Sequence, residues 1–362
     1  MKTELKWLKV VATLLVAVSA TAVRAGNYAG DAVVTDDARL KQLEAEVAAL
    51  RENVDCGGSC LSDCFSSQSC GLYGGFGVVL ASPFFHNPTQ NGIEVYTFDG
   101  ENDVWTGWID PLHYDHEFTP KFWLGYVGAS GFGVRARTWL FDHEGDTTEI
   151  TPGIDAGAAA FVGATDFYGS IWADGDEGES LLVAHSLRTY YIDLEITQQM
   201  HFLPASIQFG GGLRVAGIET TYHAAVHDAQ GFLTQRLDAE REFEGAGPTV
   251  SLEMRREIGC SGFAVLANLR GSVLFGEVGG YLREDEYTWN DFEFASMNDT
   301  ASTLGIGELE LGFEHTTQLA SGGRLFFRGT YEGQLWLDAG TPNSADGDLG
   351  FEGFGLSVGL DR

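Results

Sequence analysis

The chain has 362 residues, with 48 glycines and 24 phenylalanines against only 8 prolines, a balance suited to strands with many bends. Its formal charge of -31 excludes a nucleic-acid partner, because such binders need a basic footprint. Mean hydropathy of -0.06 excludes neither a soluble globule nor a membrane barrel, since alternating strands average out their hydropathy.

In chain order, residues 1–25 read as a secretory signal peptide. Lys2, Lys6 and Lys9 give a positive start, Val10 to Val18 a short apolar run, and Ala-Thr-Ala at 20–22 or Val-Arg-Ala at 23–25 a small-residue cleavage site. The run falls short of the ~20 apolar residues of a spanning helix, and no later stretch reaches that length. Any membrane-spanning part must therefore consist of strands. Loss of the signal leaves Lys41 and Lys121 as the remaining lysines, so the position of each arginine becomes informative.

Residues 26–55 read as a periplasmic linker and a short helix. Within 36–54, Leu40, Leu43, Val47, Leu50 and Val54 follow a heptad spacing flanked by Glu and Arg. Two to three heptads are marginal alone, so the helix either packs on its own domain or joins copies of the chain as a dimer or trimer.

Residues 56–70 hold Cys56, Cys60, Cys64 and Cys70. Their spacing is not the paired C-x2-C of a structural zinc site, and export favours oxidation. Disulfides are the expectation, with Cys260 as a fifth candidate in a turn assigned to the same side.

From residue 71 the pattern becomes one of alternating strands. Ten segments stand out: 72–81, 121–129, 131–141, 189–197, 205–215, 247–255, 263–275, 306–313, 325–337 and 354–360. Most are close to the ~9–11 residues with which a tilted strand crosses the hydrocarbon layer. Short connections fall near 129–131, 200–204, 256–261 and 316–322; long ones fall near 83–118, 142–185, 219–244, 276–302 and 338–349. This strict alternation predicts an all-β, transmembrane, antiparallel up-and-down barrel over 71–362, with short turns in the periplasm and long loops outside. A soluble sandwich gives no reason for it. Segments 93–98, 104–109 and 156–164 are also strand-like; they either extend the outer rim or raise the count from 10 to 12.

Parity assigns chemistry to faces. In 325–337, Leu325, Phe327, Tyr331, Leu335 and Leu337 share one face, while Arg324, Arg328, Glu332 and Trp336 share the other. The same alternation sets Arg135, Arg137, Asp193, Glu195, Gln208, Arg214, Glu253, Arg255, Arg270, Glu308 and Glu310 opposite apolar partners. An arginine facing lipid near the midplane costs about 2–4 kcal/mol, so these side chains are expected to line the lumen. There they either surround a water-filled pore, the preferred reading, or pair across a narrow interior and fill it.

The long connections hold Asp99, Glu101, Asp103, Asp174, Asp176, Glu177, Glu179, Glu284, Asp285 and Glu286, which form either a solvated acidic surface on the outside or an acidic vestibule that concentrates cations and loosely binds calcium. DGDEGE at 174–179 matches no defined calcium loop, and no metal or cofactor is expected. His113 and His116 stand beside Asp115 and Glu117 without a third ligand at recognisable spacing, and no G-x-S-x-G elbow occurs. No catalytic residue is assigned.

With GFGVRARTWLFD, LRTYYIDLEIT, FGGGLRVAGIE and the closing RLFFRGTYEGQLWLD…GFEGFGLSVGLDR, the chain resembles pore-forming outer-membrane proteins of the Legionella major outer-membrane protein type, and planctomycete-like members most. The resemblance spans 71–362. It implies a barrel in the bacterial outer membrane and a porin role for small hydrophilic solutes or ions; a closed structural or adhesin-type barrel is the alternative, and an outer-membrane enzyme with its residues spread over separate loops a lesser one. One departure is the ending Leu360-Asp361-Arg362, where many outer-membrane barrels end on an aromatic residue.

Overall fold

In the computed structural model the described residues are 71–85, 92–99, 104–112, 114–152, 159–164, 169–175, 177–202, 205–259, 261–287, 291–319, 322–340 and 347–361. The expected signal peptide, the expected helix over 36–54, all five cysteines and His113 lie outside them.

The described residues form fifteen strands and no helix. The first five are β1 (Gly71–Phe85), β2 (Gly92–Asp99), β3 (Val104–Pro111), β4 (Glu117–Val127) and β5 (Phe132–Glu144). Next come β6 (Thr148–Ile150), β7 (Ala159–Ala164), β8 (Gly169–Asp174), β9 (Ser180–Phe202) and β10 (Ala205–His227). The last are β11 (Leu233–Glu257), β12 (Phe263–Glu286), β13 (Asp291–Gln318), β14 (Arg324–Leu337) and β15 (Leu349–Asp361).

Ten of these close a barrel. β1 pairs with β4, β4 with β5 and β5 with β9; β9 to β15 then pair in sequence order, and β15 returns to β1, all antiparallel. The ten staves are the ten segments expected from sequence. β6 is an extra strand that runs beside β9, Thr148 opposite Val183. The count does not rise to 12: segments 93–98 and 104–109 and, of 156–164, residues 159–164 join β8 in a separate sheet of order β3-β2-β7-β8.

Two expected long connections are corrected. Most of 219–244 and 276–302 is strand, so β9 to β13 run for 23 to 28 residues while the other staves have 11 to 15. Glu284, Asp285 and Glu286 accordingly belong to β12 rather than to a loop. The acidic residues mask a continued alternation. Ala224, Val226, Leu237, Ala239 and Leu282 still point inward and pack, with Leu181 and Val183, against Ile93, Val95, Ala160, Ile171 and Ala173 of the four-stranded sheet. That sheet is an inner lining to a tall wall.

The outer surface of the staves is apolar. Leu72, Phe122, Ile196, Val250, Phe313 and Leu356 are exposed, among many others on the same parity. A patch this continuous does not survive in water, and a hydrocarbon layer is the environment it fits. At the short-turn end the β4–β5 connection needs Gly131 at φ 78°, where a Cβ would run into the Gln199 carbonyl. The seam between β1 and β15 runs from Tyr73 opposite Asp361 to Phe85 opposite Leu349, and Gly75, Gly77, Gly353, Gly355 and Gly359 lie on its inward parity.

Candidate functional site

The interior is layered, and each layer is built from inward positions at one height on several staves. All fourteen sequence-selected residues carry the inward parity. Register brings eight of them together in one knot near mid-barrel. Arg214 on β10 donates to both oxygens of Asp193 on β9, at 2.6 and 2.7 Å, and also meets Glu308 on β13. Arg137 on β5 donates to the same Glu308 at 3.1 Å, and Arg270 on β12 lies 3.8 Å from it. Arg270 also donates to Glu195, at 3.2 and 3.3 Å. Arg135 donates to Glu195 at 2.6 Å and meets Glu253 on β11 at 2.6 Å. Guanidinium geometry suits this sharing, since one fork reaches two carboxylates.

The other six lie toward the short turns. Glu310 and Glu332 take the Lys121 ammonium at 3.1 and 2.6 Å. Arg255 and Arg328 donate to the two oxygens of Glu314, at 2.7 and 2.6 Å. Arg324 pairs with Asp361, and Gln208 stands on the wall. Together with Arg135, Arg137, Glu253, Arg270 and Glu308 of the knot they line a cavity of about 700 Å³, whose wall toward the short turns includes His201, Thr316 and Gln318; Asp193, Glu195 and Arg214 are buried and do not line it.

Sequence reasoning missed Lys121, Glu314 and Asp361, which complete these pairs. Lys121 carries a signal, as one of two lysines left after the signal peptide, but it stands at the edge of segment 121–129, where parity is weakest.

One row further from the short turns the inward chemistry changes. Trp139, Phe141, Tyr191, Leu274, Trp336 and Phe351 fill the barrel, each at most 2% exposed. Trp139 meets Phe351 edge-on at 5.2 Å and stacks on Tyr191 at 5.7 Å. Tyr191 joins the two layers: Arg214 lies over its ring at 4.1 Å, and its hydroxyl donates to Glu308 at 3.4 Å. The indole nitrogens here are satisfied locally, Trp139 Nε1 donating to Thr119 Oγ1 and Trp336 Nε1 to Gln334 Oε1, while the buried Thr189 hydroxyl opposite Phe141 has no hydrogen-bond partner among the described residues.

Above the aromatic layer, Tyr114 packs against both hydrophobic clusters and against the buried His143 and His185 rings, at 5.6 and 4.3 Å. His143 Nδ1 shares a 2.9 Å hydrogen bond with Glu117, and burial pushes the Tyr114 phenol up. The four-stranded sheet closes the stack. Among the described residues no group of three or more His, Cys, Asp or Glu side chains could hold a metal ion.

A family model described as the Legionella pneumophila major outer membrane protein precursor matches residues 93–362. No curated protein is significantly similar in sequence. Solved structures with a similar fold include the outer membrane protease OmpT from Escherichia coli, at 10% identity and a TM-score of 0.39, covering 82% of this chain and 97% of that one. A major outer membrane protein from Thermus thermophilus is 11% identical at a TM-score of 0.29, covering 66% and 97%. The outer membrane protein OprG from Pseudomonas aeruginosa is 12% identical at a TM-score of 0.24, covering 80% and 96%. Likenesses this distant carry no inference about solute or activity.

Proposed function

Because the chain belongs to the family of the Legionella pneumophila major outer membrane protein, and so is a β-barrel of the bacterial outer membrane, we propose that it is a porin-type channel for small hydrophilic solutes or ions. The observation that carries this reading is the charged interior. Buried ion pairs are weak stabilisers, and well-packed apolar side chains would fill a barrel at equal or better stability. Basic side chains and carboxylates set around a 700 Å³ cavity suit passing water and polar solutes.

The reading puts the short turns and the cavity mouth in the periplasm and the tall wall outside. Its pore-lining residues are Arg135, Arg137, Asp193, Glu195, Gln208, Arg214, Glu253, Arg255, Arg270, Glu308, Glu310, Arg324, Arg328 and Glu332. The knot and the aromatic layer act as a gate that must part for conduction. Association of copies through 36–54, and disulfides among Cys56, Cys60, Cys64, Cys70 and Cys260, belong to the same reading, as does the planctomycete-like placement within the family. No catalytic step is part of it.

Planar-bilayer recording is the test. Purified, folded protein should open ion-conducting steps; protein that stays silent while keeping heat-modifiable migration would overturn the channel. It would leave the second reading, a closed envelope barrel, which the dry aromatic layer favours.

A further inference from the structure

We propose that the cavity at the short-turn end binds small zwitterions, namely free amino acids and short peptides, with their carboxylate at Arg328 and their ammonium at Glu253. The first observation is charge balance. In a protein of formal charge -31, the cavity wall carries seven Lys or Arg side chains and seven Asp or Glu side chains. Such a wall has no net field to gather ions of one sign, and its complement is a solute with both charges.

The second observation is unused bonding capacity. Arg328 engages Glu314 through Nε; among the described residues Nη1 and Nη2 have no hydrogen-bond partner, and the side chain is 25% exposed. Its guanidinium lies over the Phe326 ring at 4.4 Å, which fixes the plane of the free fork. A carboxylate is the group such a fork takes in bidentate fashion. Asp193, Glu195, Glu308, Glu310 and Glu314 engage both oxygens, whereas the contacts of Glu253 with Arg135 and Arg270 both fall on Oε1. Its Oε2 is left for an ammonium, and the side chain is 25% exposed.

Arg328 and Glu253 stand on β14 and β11, so a ligand reaches from one wall to another. Trp123 and Phe326, stacked at 6.3 Å, offer an apolar surface for its side chain. The volume lies within the range of ordinary ligand sites. This inference names a solute class for the channel proposed above and rests on that reading for its transport meaning; binding itself needs no open lumen.

Titration calorimetry on the folded, detergent-solubilised full chain tests it with glycine, dialanine, trialanine, acetate and methylammonium. At least one zwitterion should bind tenfold more tightly than acetate and methylammonium. Arg328→Gln and Glu253→Gln should each weaken that binding at least tenfold. Trialanine capped by N-acetylation or by C-amidation, titrated into the unaltered protein, should lose binding to the same degree, so the result does not depend on the variants folding. Equal binding of acetate or methylammonium, no binding by any zwitterion, or indifference to both caps would overturn the proposal. Silent bilayers with zwitterion binding retained would overturn transport alone, and conduction without zwitterion binding would overturn this inference alone.

Discussion

The charged knot and the aromatic layer sit one row apart on the same staves and answer the same problem by opposite means. On β5 the inward series runs Arg135, Arg137, then Trp139, Phe141; on β13 it runs Glu310, Glu308, then Ile306, Leu304. The aromatic layer gains from burying apolar surface and dispersion contact. The knot gains little net free energy, because desolvation offsets the attraction of its pairs. Filling the lumen therefore did not require charge, so the charge is a matter of function or specificity rather than of packing.

The largest effect is expected from Glu308→Ala, which strips Arg137, Arg214 and Arg270 of a shared carboxylate. Removing one partner of a buried pair costs about 3–5 kcal/mol, read as a lowered urea midpoint in micelles. An unchanged midpoint would mean that the knot is wet. Leu274→Ala in the dry layer should cost about 2–5 kcal/mol through lost burial and a cavity, and a smaller loss would mean that this layer is already loose. A double-mutant cycle sharpens the contrast. Asp193→Leu alone should cost about 3 kcal/mol or more, while Asp193→Leu with Arg214→Met should restore most of it. Additive losses in that cycle would give the pair a stabilising role. The smallest effect belongs outside both layers. His223 and Arg236 meet Asp238 at 2.7 and 2.8 Å on the outer face of the tall wall, where Asp238 raises the Arg236 pKa. Both side chains are about half exposed, so Asp238→Asn should cost no more than about 1 kcal/mol.

Much of the barrel was legible because strand parity is local. Leu309 and Leu311 opposite Glu308 and Glu310 need no partner strand to reveal two faces. Pairing across the lumen was not legible, because Arg137 and Glu308 lie on β5 and β13, and only the closed ring sets them opposite each other. The change from charge to aromatic was written in the sequence, as in Glu332, Gln334, Trp336, yet parity alone gives it no meaning until every stave changes at the same height. The hairpin of β2 and β3 was visible, but its docking was not. Apolar alternation in 93–98 suits an extra stave as well as an inner lining, and contact with Leu181 and Val183 decides between them.

The β1–β15 seam bears on how such an interior is loaded. β9 to β13 follow one another through short turns and can zip locally, whereas the seam joins the two ends of the barrel sequence, so it is the slow, late contact. Until it forms, the curling sheet is an open trough in which arginines and carboxylates find one another in water. The two staves that shut the trough carry Gly75, Gly77, Gly353, Gly355 and Gly359 toward the inside, so they bring few side chains to collide with a network already made. A Cβ at Gly75, Gly353 or Gly359 would run into the Val358, Leu80 or Gly74 carbonyl, so larger inward residues there should both slow barrel closure and weaken the finished barrel. In manufacturing terms the seam is a lid pressed onto a full container.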